Sequence, residues 1–164
     1  MRKALLILVG VATALLAAGP GAAAPARDYV VGGGTLAEHP GIGFAVNAES
    51  GPAGEDPHGH MMIHSRGVDH TPGWVRHADV TCMIVTGSQA RLSGPVTSQN
   101  HEDADFPHQN AALIVVDDMG PPFGDRVTFT TFSEDLFHVD PDTACIFPTG
   151  AFDPFRGNVT VHDD

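Results

Sequence analysis

The run Ala78-Asp79-Val80-Thr81-Cys82-Met83-Ile84-Val85-Thr86-Gly87 is the strongest strand signal in the chain, and a turn and a second strand follow it at once. On an extended backbone Val80, Cys82 and Ile84 point one way, and Thr81, Met83 and Val85 the other. Both faces are apolar or small, which predicts a strand buried inside a layered β-domain. Gly87-Ser88 supplies turn chemistry, and residues 90–96 run back with Ala90 and Leu92 on one face.

The same reading finds further strands over 29–31, 42–48, 59–65, 112–116, 126–132 and 157–162. Gly32-Gly33-Gly34 reads as the end of the first. Residues 50–57, 67–77 (with Trp74, the only tryptophan), 97–110, 117–122 and 148–156 read as loops. No segment beyond the first 26 residues has a helical apolar period. Short strands broken by 19 glycines and 13 prolines predict an all-β protein, a single-domain antiparallel β-sandwich of about eight strands over residues 27–164.

Residues 1–26 are expected to stand outside that domain. Arg2 and Lys3 precede an apolar run over 4–18, and Ala24-Pro25-Ala26 fits a small-x-small cleavage site, the pattern of a secretory signal peptide. The run is shorter than the roughly 20 residues a spanning helix needs, so no membrane span is expected after cleavage. Cleavage before Arg27 removes Arg2 and Lys3 and keeps all 20 Asp and Glu, taking the formal net charge from −12 to −14. Nucleic acid is thereby excluded as a partner, because so acidic a surface is repelled by phosphate backbones. In an exported, oxidised chain the two cysteines, Cys82 and Cys145, are expected to form one disulfide. Each lies in an apolar stretch, which suits a bond between two strands or sheets.

Asp79-Val80-Thr81-Cys82, Val85-Thr86-Gly87-Ser88-Gln89-Ala90 and Gly94-Pro95-Val96 together resemble a V-T-C-x-x-V-x-G-N-x-A…G-x-V signature of secreted β-domains of high-GC Gram-positive bacteria, akin to the post-COAP type. Val30–Gly34 by number 30–34, Val116-Asp117-Asp118, Gly124-Asp125-Arg126-Val127 and the ending Arg156-Gly157-Asn158-Val159-Thr160-Val161-His162 extend the resemblance over most of residues 27–164. It implies the β fold and export. It implies no catalytic residue.

His58-Gly59-His60-Met61-Met62-Ile63-His64 is the most suggestive stretch for chemistry. On a strand His58, His60, Met62 and His64 share a face, and imidazole with thioether suits copper, or imidazole alone zinc. Strand neighbours two apart are separated by roughly 6.5–7 Å, so a metal would need a ligand from elsewhere, such as His70 or His77. The competing reading is a solvated strand with Met61 and Ile63 turned to the core. The run His101-Glu102-Asp103-Ala104-Asp105-Phe106-Pro107-His108 and the set Asp117, Asp118 and Asp125 are weaker metal candidates, since acids and glycine are ordinary residues of loops and turns.

No Gly-x-Ser-x-Gly elbow, His-Glu-x-x-His helix or Gly-rich nucleotide loop is present. The sequence therefore points to a secreted, non-enzymatic interaction protein with an unknown protein or cell-envelope component as partner and no required cofactor. The alternative is an extracellular copper or zinc binder built on His58, His60, Met62, His64 and His70. Ten histidines against a charge of −14 further predict that solubility and self-association change between neutral and mildly acid pH.

Overall fold

A computed structural model describes residues 26–67, 72–100, 108–120, 124–133 and 139–164. The chain is all-β and antiparallel, as its alternation predicts. Nine strands follow in order: β1 (Asp28–Leu36), β2 (Ile42–Ser50), β3 (His58–Ser65), β4 (Trp74–Asp79), β5 (Cys82–Thr86), β6 (Gln89–Gln99), β7 (Gln109–Asp117), β8 (Arg126–Ser133) and β9 (Asp153–His162). A 3₁₀ helix, Pro141–Ile146, lies between β8 and β9. Among the described residues no helix is long and apolar enough to cross a membrane.

Strands adjacent in sequence pair with one another, except β4 and β5, and two further pairings close the sheet. β9 lies against β1, and the C-terminal half of β6 lies against β4 while its N-terminal half pairs with β5. The sheet order β4-β3-β2-β1-β9-β8-β7-β6-β5 thus returns to its start at β4–β6, and the strands form a closed ring around one core. Every strand contributes to that core. Val30, Phe44, Ile63, Ala78, Met83, Leu92, Ile114, Val127 and Val159 all turn inward and are nearly inaccessible.

Several local expectations are corrected. The predicted strand over 78–87 is interrupted at Val80-Thr81, where the backbone pairs sideways (Val80 N to Gly59 O, Thr81 N to Ser93 O) instead of continuing. Gly94 permits the crossing, since a Cβ there would run into the Asp79 carbonyl oxygen. The break shifts the alternation: Val80 and Met83 are buried, and Ile84, expected to share Val80's face, is exposed. Residues 74–77, expected within an irregular stretch, belong to β4, because Arg76 and Ala78 alternate inward and pair with β3 and β6.

β1 does not stop at its glycines. Gly32, Gly33 and Gly34 run between β2 and β9, and Gly34 stands opposite Gly157. A Cβ on Gly157 would strike the Gly33 carbonyl oxygen, so the absent side chains let these backbones close the ring. β6 extends to Gln99 and β9 begins at Asp153, each taking residues expected in loops, because the neighbouring strands β4 and β8 offer partners there.

Cys82 and Cys145 are bonded. Cys145 sits in the 3₁₀ helix, however, and not in a strand. Pro141 at its start, with Asp140 capping the Asp142 N–H, favours a helical turn over an extended one. The helix covers the outer face of β7, where Leu113, Val115 and Cys145 form a second small apolar cluster. That explains why β7 is buried on both sides, as its continuous apolar run requires.

Candidate functional site

β3 presents its histidines as alternation predicts: Met61 and Ile63 are core residues, and His58, His60, Met62 and His64 face outward. The four are nevertheless held in different ways. His58 Nε2 lies 2.7 Å from Glu49 Oε1 and its Nδ1 2.8 Å from the Asp56 carbonyl oxygen. Both nitrogens face acceptors, a setting satisfied fully only by the doubly protonated ring. The Asp56 carbonyl first, and then the Glu49 carboxylate, raise the His58 pKa above its ordinary value. In its doubly protonated form the ring offers a metal no lone pair.

His60 differs. Its Nδ1 meets Asp79 Oδ1 at 2.8 Å, leaving Nε2 directed elsewhere, the tautomer that carboxylate–histidine pairs impose on metal-ligating imidazoles. The register places Asp79 opposite His60 and His77 opposite Met62, so His60, Met62 and His77 occupy adjacent positions on the outer face of β3 and β4. His64 stands opposite Gly43 and Val75; its Nδ1 is buried and has no hydrogen-bond partner among the described residues. His70, and residues 101–107 of the acidic run, lie outside the described residues. Among the described residues no three His, Cys, Asp or Glu side chains are grouped closely enough to hold a metal ion.

The acids around residues 117–125 have structural partners. Asp117 pairs with Arg126 at 3.0 Å and accepts from the Ser88 hydroxyl, also at 3.0 Å. Asp118 accepts from the Val161 N–H and Asp125 from the Val159 N–H, each at 3.2 Å. These two carboxylates thus satisfy main-chain donors of β9 that β8 does not reach.

Those donors lie beyond the N-terminal end of β8; the other end of its β9 edge forms a surface that sequence reasoning missed. β8 pairs with β9 only at Arg126–Pro154 and Val127–Asp153. Continued in the same register, Gly150 would face Thr130, and Pro148 would face Phe132. Pro148 has no N–H to donate, and the ladder stops before it. The incoming segment peels away from β8 and leaves a groove of about 540 Å³ between residues 128–132 and Phe147-Pro148-Thr149-Gly150. The described residues lining it carry no ionisable side chain; threonine and phenylalanine predominate. Phe147, 36% exposed, leans on Phe132 with ring centroids 5.8 Å apart. The Thr/Phe alternation of β8 signals a strand, but nothing local in it reveals that one edge lacks a partner.

No protein-family model, curated protein or solved structure matches this chain.

Proposed function

We propose that the protein is an exported, non-enzymatic binding domain whose groove beside β8 receives an extended, uncharged segment of a protein partner in the cell envelope. The observation that carries this reading is the edge of β8, left by β9 after Val127 and flanked by a largely apolar groove with no charged side chain among its described lining residues. A strand edge recognises an extended chain through main-chain hydrogen bonds, and the flanking apolar surface selects alternate side chains. The described lining, of Thr, Phe, Val, Pro and Gly, favours Thr-, Val- or Phe-bearing segments over acidic or basic ones, since a charge beside those residues would lose hydration without a counter-ion. Export rests on the signal-peptide pattern of residues 1–26 and is consistent with the Cys82–Cys145 bond.

The test is selection of extended heptapeptides by display on the purified protein, followed by titration of the best sequence. Binding is expected to weaken at least tenfold in Phe147→Ser and to vanish when alternate peptide amides are N-methylated. Binding indifferent to N-methylation would sink the strand-addition reading.

A second reading, capture of copper or zinc, is favoured by one observation: His60, oriented by Asp79, shares a face with Met62 and His77. Calorimetric titration with Cu(II) and Zn(II) tests it. Tight stoichiometric binding lost in His60→Ala/His77→Ala and retained in His58→Ala supports the reading; weak heats common to all three proteins refute it.

A further inference from the structure

Arg76 points into the ring of strands. It is only 8% exposed, between Trp74 and Ala78 on the inner face of β4. Its Nη1 reaches across the interior to Thr131 Oγ1 on β8, 3.4 Å away, and its guanidinium lies 4.3 Å from the centroid of the Trp74 ring. In a chain with 20 acidic residues, no carboxylate among the described residues pairs with it. The sheet neighbours supply none: Ile63 stands opposite on β3 and Gln99 on β6, and Gln99 Oε1 already accepts from the Gln109 N–H.

Arginine keeps its charge inside proteins, and it carries five donors. Burial pushes its pKa down here, with no anion among the described residues to offset the effect. One long hydrogen bond to a neutral hydroxyl, plus a ring face, leaves the guanidinium short of acceptors. A second group points the same way. Ser133, two residues beyond Thr131 on the same face of β8, is 3% exposed, and its Oγ is buried without a hydrogen-bond partner among the described residues. A buried hydroxyl without an acceptor and a buried cation with only one, among the described residues, lie on one side of the interior.

We propose that Arg76, with Thr131 and Ser133, binds the carboxylate of a small, singly charged organic acid at the end of the ring where β4 begins. The guanidinium fork matches the two carboxylate oxygens, the hydroxyls donate to their remaining lone pairs, and Trp74 walls the site. Single charge follows from the rest of the molecule: a net charge of −12 repels a doubly charged phosphate more strongly than a monocarboxylate. Thr131 borders both the site and the groove, but Arg76 and Ser133 do not line the groove and Phe147 takes no part in the site, so the two proposals fail separately.

Trp74 is the only tryptophan, so its fluorescence reports on Arg76 directly. The purified protein is titrated with sodium acetate, and with sodium chloride and sodium phosphate at matched ionic strength. Expected is a saturable change with acetate and none with chloride, a rise in unfolding midpoint with acetate, about fivefold weaker binding in Ser133→Ala, and none in Arg76→Gln. Phe147→Ser should respond like the unmodified protein. An absent acetate response, or one unchanged in Arg76→Gln, overturns the site, and phosphate binding more tightly than acetate overturns the carboxylate assignment. Should Arg76→Gln fail to fold, Arg76→Lys and Ser133→Ala decide, since the first keeps the charge and the second removes only one hydroxyl; unchanged affinity in the two refutes the proposal.

Discussion

Cys82, at the start of β5, is bonded to Cys145 in the 3₁₀ helix with their Cα atoms 6.0 Å apart, and the bond fastens that helix over Leu113 and Val115 on the outside of β7. Arg91 adds a second fastening, donating from Nε to the Cys145 carbonyl at 2.6 Å and from Nη2 to the Phe147 carbonyl. The segment that forms one wall of the groove beside β8 is thus held at its N-terminal side by a covalent bond and a guanidinium. Its C-terminal side is held where Asp153 and Pro154 join β8.

Loss of the disulfide should therefore act on stability and on the groove together. The bond spans 63 residues, for which the chain-entropy model gives roughly 4 kcal/mol. Cys82→Ser/Cys145→Ser should lower the unfolding free energy in urea by about 2–4 kcal/mol and increase binding of a hydrophobic dye as Leu113 and Val115 lose cover. Equal stability with and without reductant would contradict this account.

The break at Val80-Thr81 makes a sharp prediction for two adjacent residues. Met83 is 2% exposed and packs in the core, whereas Ile84 is 38% exposed. Met83→Ala should cost about 2–5 kcal/mol, and Ile84→Ala no more than about 1 kcal/mol. An uninterrupted strand from Ala78 with Ile84 on the face of buried Val80 would give the reverse order, so paired denaturation curves separate the two arrangements.

Gly157 is the point where β9 crosses β1 most closely. Its φ is 157°, and a Cβ there meets backbone of Gly33 and Gly34 rather than a side chain able to move. Gly157→Ala should destabilise by more than about 2 kcal/mol. Gly150, with open space around its position, should accept alanine with little change. Thermal unfolding of the two variants checks the contrast.

Stability should also carry a histidine signature. The Asp56 carbonyl and the Glu49 carboxylate raise the His58 pKa in the folded chain above its unfolded value. The contribution is therefore complete below the unfolded pKa of about 6.5 and is lost as pH rises through the higher folded value. Asp164 acts with the opposite sign. Hydrogen bonds from the Arg27 backbone N–H and from His162 lower its pKa, so its contribution is present above the unfolded value and lost as pH falls through the folded one. Both groups are exposed, so the effects are small. NMR titration should show the His58 shift reverting in Glu49→Gln, and an unperturbed His58 curve would contradict the contact.

Some of this architecture was legible residue by residue. Thr86 and Gln89 do face each other across Gly87-Ser88, residues 112–116 do form a strand buried on both sides, and Cys82 does bond to Cys145. These follow from alternation, turn chemistry and an even cysteine count, which act over a few residues or depend on composition alone. The outward placement of His58, His60, Met62 and His64 follows likewise from a strand period of two. The partners that give each of these rings a different state, Asp56 with Glu49 for His58 and Asp79 for His60, come from a turn and from strands on either side.

By itself, then, the sequence determined that the chain is antiparallel and all-β, that Met61 and Ile63 of β3 turn to its core, and which two cysteines join. Only the tertiary structure decided that β6 turns from β5 to β4 and that β9 meets β1, closing the sheet. It also decided that the alternation shifts at Val80-Thr81, that Arg76 faces inward opposite Thr131, and that β8 is left with an edge along Phe147–Gly150, residues 147–150. The physical reason is the same in each case. Strand pairing is made by main-chain groups that are nearly identical at every residue, so which edges meet depends on distant backbone, glycine clearances and a proline that cannot donate, and side-chain periodicity does not encode it.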